Sequence, residues 1–240
     1  MALAQQVIAL YGPHPTYLDF ELLQAEVQRE LSLLAYLEEQ LHDLRRQTIY
    51  PLYHQIQPYR RLETINGVGQ DSAAVYASFI GAAQRFDSAR LFRSWSGMIP
   101  NSTESAGVES KGLHINRAGP RLVKKFAFLD AEIARQWDPQ IAAIYYDQMV
   151  NKGKHHNQAV CACATHLLDR VLVVLKDRRP YELRDVDGAP VTVEQARTIT
   201  TEKYKVPEEV RRRKTKRFRQ AHRDQQAEKQ QKREAARTQG

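Results

Sequence analysis

The chain contains little cysteine and no long apolar run. Only two of its 240 residues are cysteines, Cys161 and Cys163, and at a spacing of two they point to different sides of a helix, so they cannot pair with each other. Such usage is typical of a reducing cytoplasm. No apolar run approaches the roughly 20 residues that span a bilayer, and the segment MALAQQVIALYGPHP lacks the basic start of a signal peptide. We expect a cytoplasmic protein with neither a membrane anchor nor a signal peptide.

A recognisable metal-binding pattern is also absent. His155, His156 and His166 lie near the two cysteines, but Cys161 and Cys163 diverge by about 200° around a helix, and no CxxC pair completes a zinc site. The acidic residues form no obvious two-metal set, because no strand-borne aspartate precedes a βαβ pattern. We expect no metal ligands and no cofactor in this chain.

Positive charge is present, but it is concentrated in one place. The formal net charge is +8, and residues 208–240, with 12 basic and 5 acidic residues, supply +7 of it. This tail has almost no apolar residues to bury, so we expect it to be disordered or a loosely formed, solvated helix. Its basic cluster Arg211, Arg212, Arg213 and Lys214 suits binding to DNA phosphates; a merely solubilising tail is the alternative.

Apolar residues recur at spacings of three and four between Tyr17 and about Tyr50, which predicts a long amphipathic helix. The residues of this leucine seam are Leu23, Val27, Leu31, Leu34, Leu37, Leu41 and Leu44. A seam of this length favours an antiparallel or intermolecular coiled-coil arm. The alternative is a helix that lies on the core of its own domain. Pro51 and Pro58 are expected to break the structure that follows.

The remaining periodic segments predict a mainly α fold. Helices are expected over Arg121–Gln136, Pro139–Asn151 and Asn157–Lys176, and a shorter one in RFDSARLFRSWSGMIP. The predicted organisation is an N-terminal lead (1–16), a coiled-coil linker arm (17–58), a helical domain (59–183), a short extended or irregular segment (184–207) and the basic disordered tail (208–240). The pair Asp187-Gly188 predicts a turn within the extended or irregular segment.

The stretch LETINGVGQ opens a predicted helix-hairpin-helix motif over residues 62–81. Gly67 and Gly69 allow the turn to take positive φ, and Asp71 or Ser72 can cap the helix that follows. Backbone N–H groups beside a helix N-terminus suit an anion, and this pattern holds a DNA phosphate without reading bases. The predicted contacts are Asn66, Gly67, Val68 and Gly69. The alternative is a plain αα turn with glycines for packing.

A polar segment over residues 97–120, here called the serine loop, is too hydrophilic for a core. A serine hydroxyl on such a loop can attack phosphorus if cations hold the phosphoryl oxygens. From the residues alone Ser102, Ser105 and Ser110 are equally suitable, and an ordinary surface loop is the alternative. The cationic residues downstream are Lys111, His114, Arg117, Arg121, Lys124 and Lys125.

Taken in order, these motifs resemble the C-terminal domain of a bacterial transposase family. They are LETINGVGQDSAAVYASFIG, RFDSARLFRSWSGMIPNSTESAG, GLHINRAGPRLVKKFAFLDA, IAAIYYDQMVNKGKHHNQAVCACATHLLDRVLVVL and RRPYE. The family is that of insertion sequences 110, 116 and 902, which also contains the Piv-type DNA invertases. The resemblance runs from about Leu62 to Glu182, and the leucine helix before it is similar to the family's linker.

The resemblance implies a role for one serine. Counting forward from the element Gly97-Met98-Ile99-Pro100 places Ser105 at the family's nucleophile, which forms a covalent phosphoserine link to DNA. Mg²⁺ is held in the family by four acidic residues of an N-terminal resolvase-like domain, and some members use a guide RNA. Gly119, Gly153 and Lys154 fall on other recurring positions.

Three departures from the family pattern stand out. Ala106 follows Ser105 where the family has glycine, and Gly119-Pro120 and Val123-Lys124 stand where Gly-Asn and Leu-Arg are usual, which replaces a forked arginine contact by lysine. The sequence also begins near the linker, so the acidic domain is expected to be missing and Mg²⁺ to require a domain supplied elsewhere.

The resulting expectation is the C-terminal part of a transposase that binds DNA near the bacterial nucleoid. It would associate with itself or with full-length transposase through the arm, and act as an enzyme only together with the acidic domain. The alternative is a non-catalytic DNA-binding or dimerisation fragment that regulates intact transposase.

Overall fold

The computed structural model describes residues 20–99, 116 and 118–211, the strand residues 104–105 and 108–109, and the single residues 6, 9 and 220. The chain divides into two compact units, Met1–Leu52 and Tyr53–Gly240. The fold is mainly helical, as predicted. Its described strands are β1 (Glu104–Ser105) and β2 (Val108–Glu109), which pair antiparallel with Ser105 opposite Val108.

The first unit is dominated by α1 (Phe20–Leu44), which confirms the predicted long helix. The seam side chains from Leu23 to Leu44 are 42–54% exposed. The partner that a coiled coil requires stays a prediction.

The helical path does not break at Pro51. A π-helical turn, Arg45–Ile49, follows α1 and leads into α2 (Tyr50–Ile56), in which Pro51 is the second residue. Proline lacks an N–H and its ring clashes with the carbonyl four residues earlier. The wider π turn, in which the Tyr50 N–H donates to the Arg45 carbonyl, accommodates that ring. The expected break comes only at Pro58.

The second unit is a set of helices packed around one long central helix. Their bounds are α3 (Gln70–Ile80), α4 (Ala89–Ser96), α5 (Arg121–Ala134), α6 (Pro139–Tyr146), α7 (His156–Asp177) and α8 (Val193–Glu202), with a 3₁₀ turn at Arg61–Thr64 before α3 and a π turn at Asp147–Asn151 after α6. The three predicted helices correspond to α5, α6 with its π turn, and α7. The expected short helix corresponds to α4.

Helix α7 forms the centre of the core. Its side chains Val160, Leu167, Leu168 and Val171 are fully buried. By length and composition α7 is apolar enough to cross a membrane, but 56% of its apolar window is buried inside the structure. Its burial against α4, α5 and α6 accounts for its apolar composition as a core helix.

The segment predicted as extended or irregular over 184–207 contains a helix, so that prediction was wrong for Val193–Glu202. Only Arg184 and Pro190 form a bridge, around the expected Asp187-Gly188 turn. Helix α8 then begins because Thr192 accepts a hydrogen bond from the Gln195 N–H, while the Gln195 side chain accepts from the Thr192 N–H. This reciprocal capping starts a helix in a sequence of modest apolar periodicity.

Candidate nucleic-acid interface

The hairpin turn joins the 3₁₀ turn Arg61–Thr64 to helix α3. Leu62, Ile65 and Val68 point inward and are 0%, 1% and 6% exposed. The Val68 N–H donates to the Ile65 carbonyl at 2.9 Å, which closes the turn. These three apolar side chains therefore anchor the turn in the core.

Gly67 lets the turn approach α5 at backbone distance. Its φ is +92°, and a Cβ at this position would collide with the Asp130 carbonyl oxygen and lie 3.0 Å from the Ala134 nitrogen. Beneath the turn, the Tyr76 hydroxyl donates to the Asp130 carboxyl at 2.6 Å. Burial raises the pKa of Asp130 to about 7, although hydrogen bonds from Tyr76 and Ser72 lower it. The turn thus rests on a buried polar network.

Gly69 has a different role from the one expected. Its φ is −93°, so positive φ occurs in this turn at Gly67 and not at Gly69. Gly69 is itself the N-cap of α3, and its N–H donates to the Ser72 hydroxyl at 3.0 Å. Asp71 lies in the first turn rather than at the cap. The Val68 and Gly69 amides are therefore used within the motif, and the contact of residues 66–69 with DNA stays a prediction.

The two ends of the serine loop are joined through two glycines. Gly97 ends α4 with φ +70°, and a Cβ there would collide with the Ala118 carbonyl oxygen. Gly119 has φ +85°, and a Cβ there would lie 2.6 Å from the carbonyl oxygens of both Ser96 and Trp95. Each glycine permits the opposite backbone to approach. We call this closed base of the loop the stem.

Hydrogen bonds from two neighbouring helices hold the stem. The Asn116 N–H donates to the Ile99 carbonyl at 3.0 Å across the stem. Thr165 of α7 donates to the Met98 carbonyl at 2.8 Å. On the other side, the Lys124 ammonium group donates to the carbonyl oxygens of Asn116 and Ala118 at 3.1 Å and 2.7 Å. Lys124, predicted as a DNA contact, is therefore engaged with the loop itself.

An aromatic cluster around Trp95, the residue before the last of α4, supports the same stem. The ring centroids of Phe86 and Trp95 lie 5.2 Å apart, and those of Phe92 and Trp95 lie 5.6 Å apart. The Arg85 guanidinium lies 5.1 Å from the Trp95 ring centroid. The carbonyl that faces Gly119 thus belongs to a residue fixed by packing.

The predicted site residues divide into three groups. Ser105 lies in β1, and its backbone pairs with Val108. Arg121 and Lys125 are exposed at a spacing of four on α5, directly after the stem, and Arg211 is exposed at the start of the basic tail. Lys111, Arg117, Arg212, Arg213 and Lys214, and the serines Ser102 and Ser110, lie outside the described residues.

Sequence reasoning did not identify a network that connects the hairpin to the end of the domain. Asp138, 1% exposed, caps α6 by accepting from the Gln140 and Ile141 N–H groups, and its other carboxyl oxygen accepts from the Tyr181 hydroxyl at 2.7 Å. Arg170 donates to the same hydroxyl at 2.8 Å. Two sequence features could have indicated this network: the Asp-Pro pair at the start of a helix and the tyrosine of RRPYE.

Tyr181 also links this network to the hairpin. Its backbone N–H donates to the Thr64 hydroxyl at 2.8 Å, which is in the 3₁₀ turn that precedes the glycine turn. The RRPYE segment therefore fastens the hairpin to α6 and α7.

Metal ligation finds no support in the described part of the chain. No group of three or more His, Cys, Asp or Glu side chains there could hold an ion. Cys163 is buried, and burial raises the pKa of its thiol to about 12, so it is a packed core residue. The described residues therefore do not fit a Mg²⁺ site.

Comparisons with known proteins match the part of the chain that contains this site. The sequence profile of the transposase IS116/IS110/IS902 family matches residues 59–146. A protein of the insertion element IS110 from Streptomyces coelicolor, described as uncharacterized, is 33% identical over 123 residues, which are 51% of this chain and 30% of that protein. Pilin gene-inverting proteins of Moraxella lacunata and Moraxella bovis are each 26% identical over 123 residues, or 38% of their length. The match thus spans about a third of the curated relatives.

Proposed function

We propose, from the match of residues 59–146 to the transposase IS116/IS110/IS902 family, that the chain is a member of this family and supplies the serine-bearing part of a DNA transposase. The hairpin and the serine loop would act on one DNA segment, with Ser105 as the nucleophile. The pilin gene-inverting proteins are 26% identical to this chain over 123 residues, and their name describes a rearrangement of DNA. DNA is accordingly the proposed substrate.

The stem is the observation that carries this proposal. A surface loop without function has no need of two glycines at positive φ, Gly97 and Gly119, that bring its ends into backbone contact. Holding the ends together gives the loop that carries Ser105 a fixed base. A nucleophile on a positioned loop is the arrangement that reaction with a bulky polymer requires.

Charge beside the stem supports DNA as the polymer. Arg121 and Lys125 are exposed on one face of α5, one turn apart, where the second end of the loop enters the helix. Cations at this spacing can contact neighbouring phosphates, which gives affinity without sequence specificity. We also propose DNA contacts by Arg117 and Lys111, because of their charge, and by residues 66–69, because of their backbone N–H groups beside a helix N-terminus.

The proposed chemistry is one exchange at phosphorus. The Ser105 oxygen forms a bond to a backbone phosphorus, and the bond from that phosphorus to a deoxyribose oxygen breaks. The serine proton passes through water to the departing deoxyribose oxygen, which leaves as a hydroxyl group. Because the described residues do not fit a Mg²⁺ site, no part of this step is assigned to a metal held by them.

Covalent trapping tests the proposal. The full chain is incubated with fluorescent duplex DNA, Mg²⁺ and a full-length relative whose own serine is replaced by alanine, and denaturing gels are scored for an adduct with the mass of this chain. We expect an adduct with the parent and none with Ser105→Ala. Ser102→Ala and Ser110→Ala serve as matched controls and should retain it. An adduct that survives Ser105→Ala refutes the assignment.

A second candidate function is favoured by the exposed seam of α1. Seven apolar side chains from Leu23 to Leu44 are 42–54% exposed along one helix. An apolar surface of this length on a soluble protein indicates an interaction site. This observation supports self-association or pairing with a longer transposase. A chain that binds DNA and forms oligomers, yet gives no adduct under any of these conditions, would fit this non-catalytic role.

A further inference from the structure

A concave surface outside the hairpin and the serine loop combines positive charge with aromatic rings. It has a volume of about 610 Å³ and lies between the turn after α5, helix α8 and the segment that leads to the basic tail. The residues that matter here are Arg135, Trp137, Tyr145, Arg197, Lys205 and Arg211. We call it the basic-aromatic groove.

The fold builds this groove from parts distant in sequence. The Thr200 hydroxyl of α8 donates to the Gln136 carbonyl at 3.1 Å, which fixes α8 against the turn after α5. Ala196, fully buried, packs the same helix onto the domain. Tyr204 follows, with its ring centroid 6.2 Å from that of Tyr146. The groove is therefore part of the folded unit.

Two of the groove's positive charges are exposed to solvent. Arg197 and Lys205 are exposed, and neither has an acidic partner among the described residues. Arg135 is held in place by Glu132, with its Nε 2.9 Å from the carboxyl, and lies 4.4 Å from the Tyr145 ring centroid. Among the lining residues Glu208 is the only acid, so positive charge prevails.

The aromatic component is a half-buried indole at the edge of the groove. The Arg197 guanidinium lies 5.1 Å from the Trp137 ring centroid. Flat rings interleaved with cations are the surface that unpaired nucleic acid strands prefer, because bases stack on the rings while phosphates meet the cations. A concave site suits an exposed base better than the convex backbone of a rigid duplex.

We propose that the basic-aromatic groove binds an unpaired stretch of polynucleotide. Arg197 and Lys205 contact consecutive phosphates, and a base stacks on Trp137 in place of the guanidinium. This inference rests on the proposed function only in that DNA reaches the chain.

Charge reversal tests the phosphate contacts. Fluorescence anisotropy of the full chain with labelled dT15, U15 and a 15-base-pair duplex is compared for the parent, Arg197→Glu/Lys205→Glu, and the control Arg29→Glu/Arg46→Glu, which changes the net charge equally on exposed arm residues. We expect the groove variant to lose at least about tenfold in affinity for dT15, with a log–log salt slope shallower by about 1.4. The control should bind dT15 within twofold of the parent.

Intrinsic fluorescence tests the stacking. The chain has two tryptophans, so Trp95→Phe, which keeps a ring in the aromatic cluster, leaves Trp137 as the reporter. We expect dT15 to quench its emission and the duplex to leave it unchanged. Equal quenching by U15 would mean that the groove accepts RNA as well as DNA, and quenching by dT15 alone that it selects DNA.

Two results would overturn the inference. One is dT15 affinity of Arg197→Glu/Lys205→Glu equal to that of the arm control, and the other is Trp137 emission unchanged by a saturating dT15. Failure of the proposed function has a different signature, namely an adduct that survives Ser105→Ala, or no adduct at all, while dT15 binding and Trp137 quenching persist.

Discussion

The hairpin turn at residues 65–69 and the stem of the serine loop use the same backbone device for different purposes. In both, a glycine at positive φ removes a Cβ that would collide with a carbonyl, at Gly67 in one and at Gly97 and Gly119 in the other. The hairpin turn is closed by its own hydrogen bonds and rests on buried Asp130. The stem fixes only the base of a polar loop. The hairpin turn is part of the buried scaffold, whereas the stem holds the base of the serine loop.

The largest effect is expected from Gly67→Ala. The new methyl meets the Asp130 carbonyl oxygen, which belongs to a helix and cannot retreat, and the backbone is strained as well. We expect a loss of about 3 to 5 kcal/mol in the free energy of unfolding, from strain and overpacking together. Urea unfolding measures it. Gly69→Ala is the matched control, because no atom lies within 4 Å of its Cβ position and its φ is negative; a change above about 0.5 kcal/mol there would contradict the comparison.

The next effect is a pH dependence of stability that comes from Asp130, beneath the hairpin turn. Burial raises the pKa of Asp130 to about 7 in the folded chain, against an ordinary value of about 4. The folded state therefore holds the proton more tightly, and this contribution to stability is complete below about pH 4 and is lost as the pH rises through 7. We expect Asp130→Asn to abolish a fall of about 1 to 3 kcal/mol between pH 5 and pH 8.

The measurement for Asp130 is the difference in unfolding free energy between parent and variant across that pH range. Asn keeps an acceptor for the Tyr76 hydroxyl, so the network stays satisfied. A difference that does not vary with pH would show that Asp130 is ionised in the folded protein throughout.

Gly119→Ala should affect the stem with a smaller cost to the fold. The methyl would lie 2.6 Å from two carbonyl oxygens of α4, and φ is positive. We expect about 1 to 3 kcal/mol of destabilisation, together with loss of covalent adduct at a temperature where the variant remains folded by circular dichroism. Full adduct formation in a folded Gly119→Ala variant would show that the reaction does not require the stem.

The smallest effect concerns Lys124. Replacing it by methionine removes two hydrogen bonds to the loop carbonyls and should cost about 1 to 2 kcal/mol. Lys125→Met removes the same charge from an exposed side chain without those bonds, so it should weaken DNA binding but leave stability unchanged. If both variants have the same stability, Lys124 does not hold the stem.

The helices could be predicted from the sequence because their information is local. Apolar residues at spacings of three and four marked α1, α5, α6 and α7, and the Asp-Gly pair marked the turn before α8. Helix α8 itself was missed, since its start depends on the capping pair Thr192 and Gln195 more than on apolar periodicity.

The stem could not be predicted, because it depends on contacts between residues far apart in the chain. Nothing near Gly97 indicates that Gly119 will lie against the end of the same helix. Likewise, Ser72 was considered as a cap, but its bond to Gly69 from the third helical position depends on how the turn closes. Lys124 was predicted as a DNA contact because of its charge. Its actual partners could not be foreseen, since they are backbone carbonyls, which every residue carries.

The measurement that tests the central claim most directly is identification of the serine that carries DNA. The adduct formed with the alanine-substituted relative would be digested with nuclease and protease, and the remaining nucleotide located by peptide mass spectrometry. A nucleotide on Ser105 is the predicted result, with Ser102 and Ser110 unmodified. A nucleotide on either of those residues, or adduct of unchanged yield from Ser105→Ala, would contradict the account.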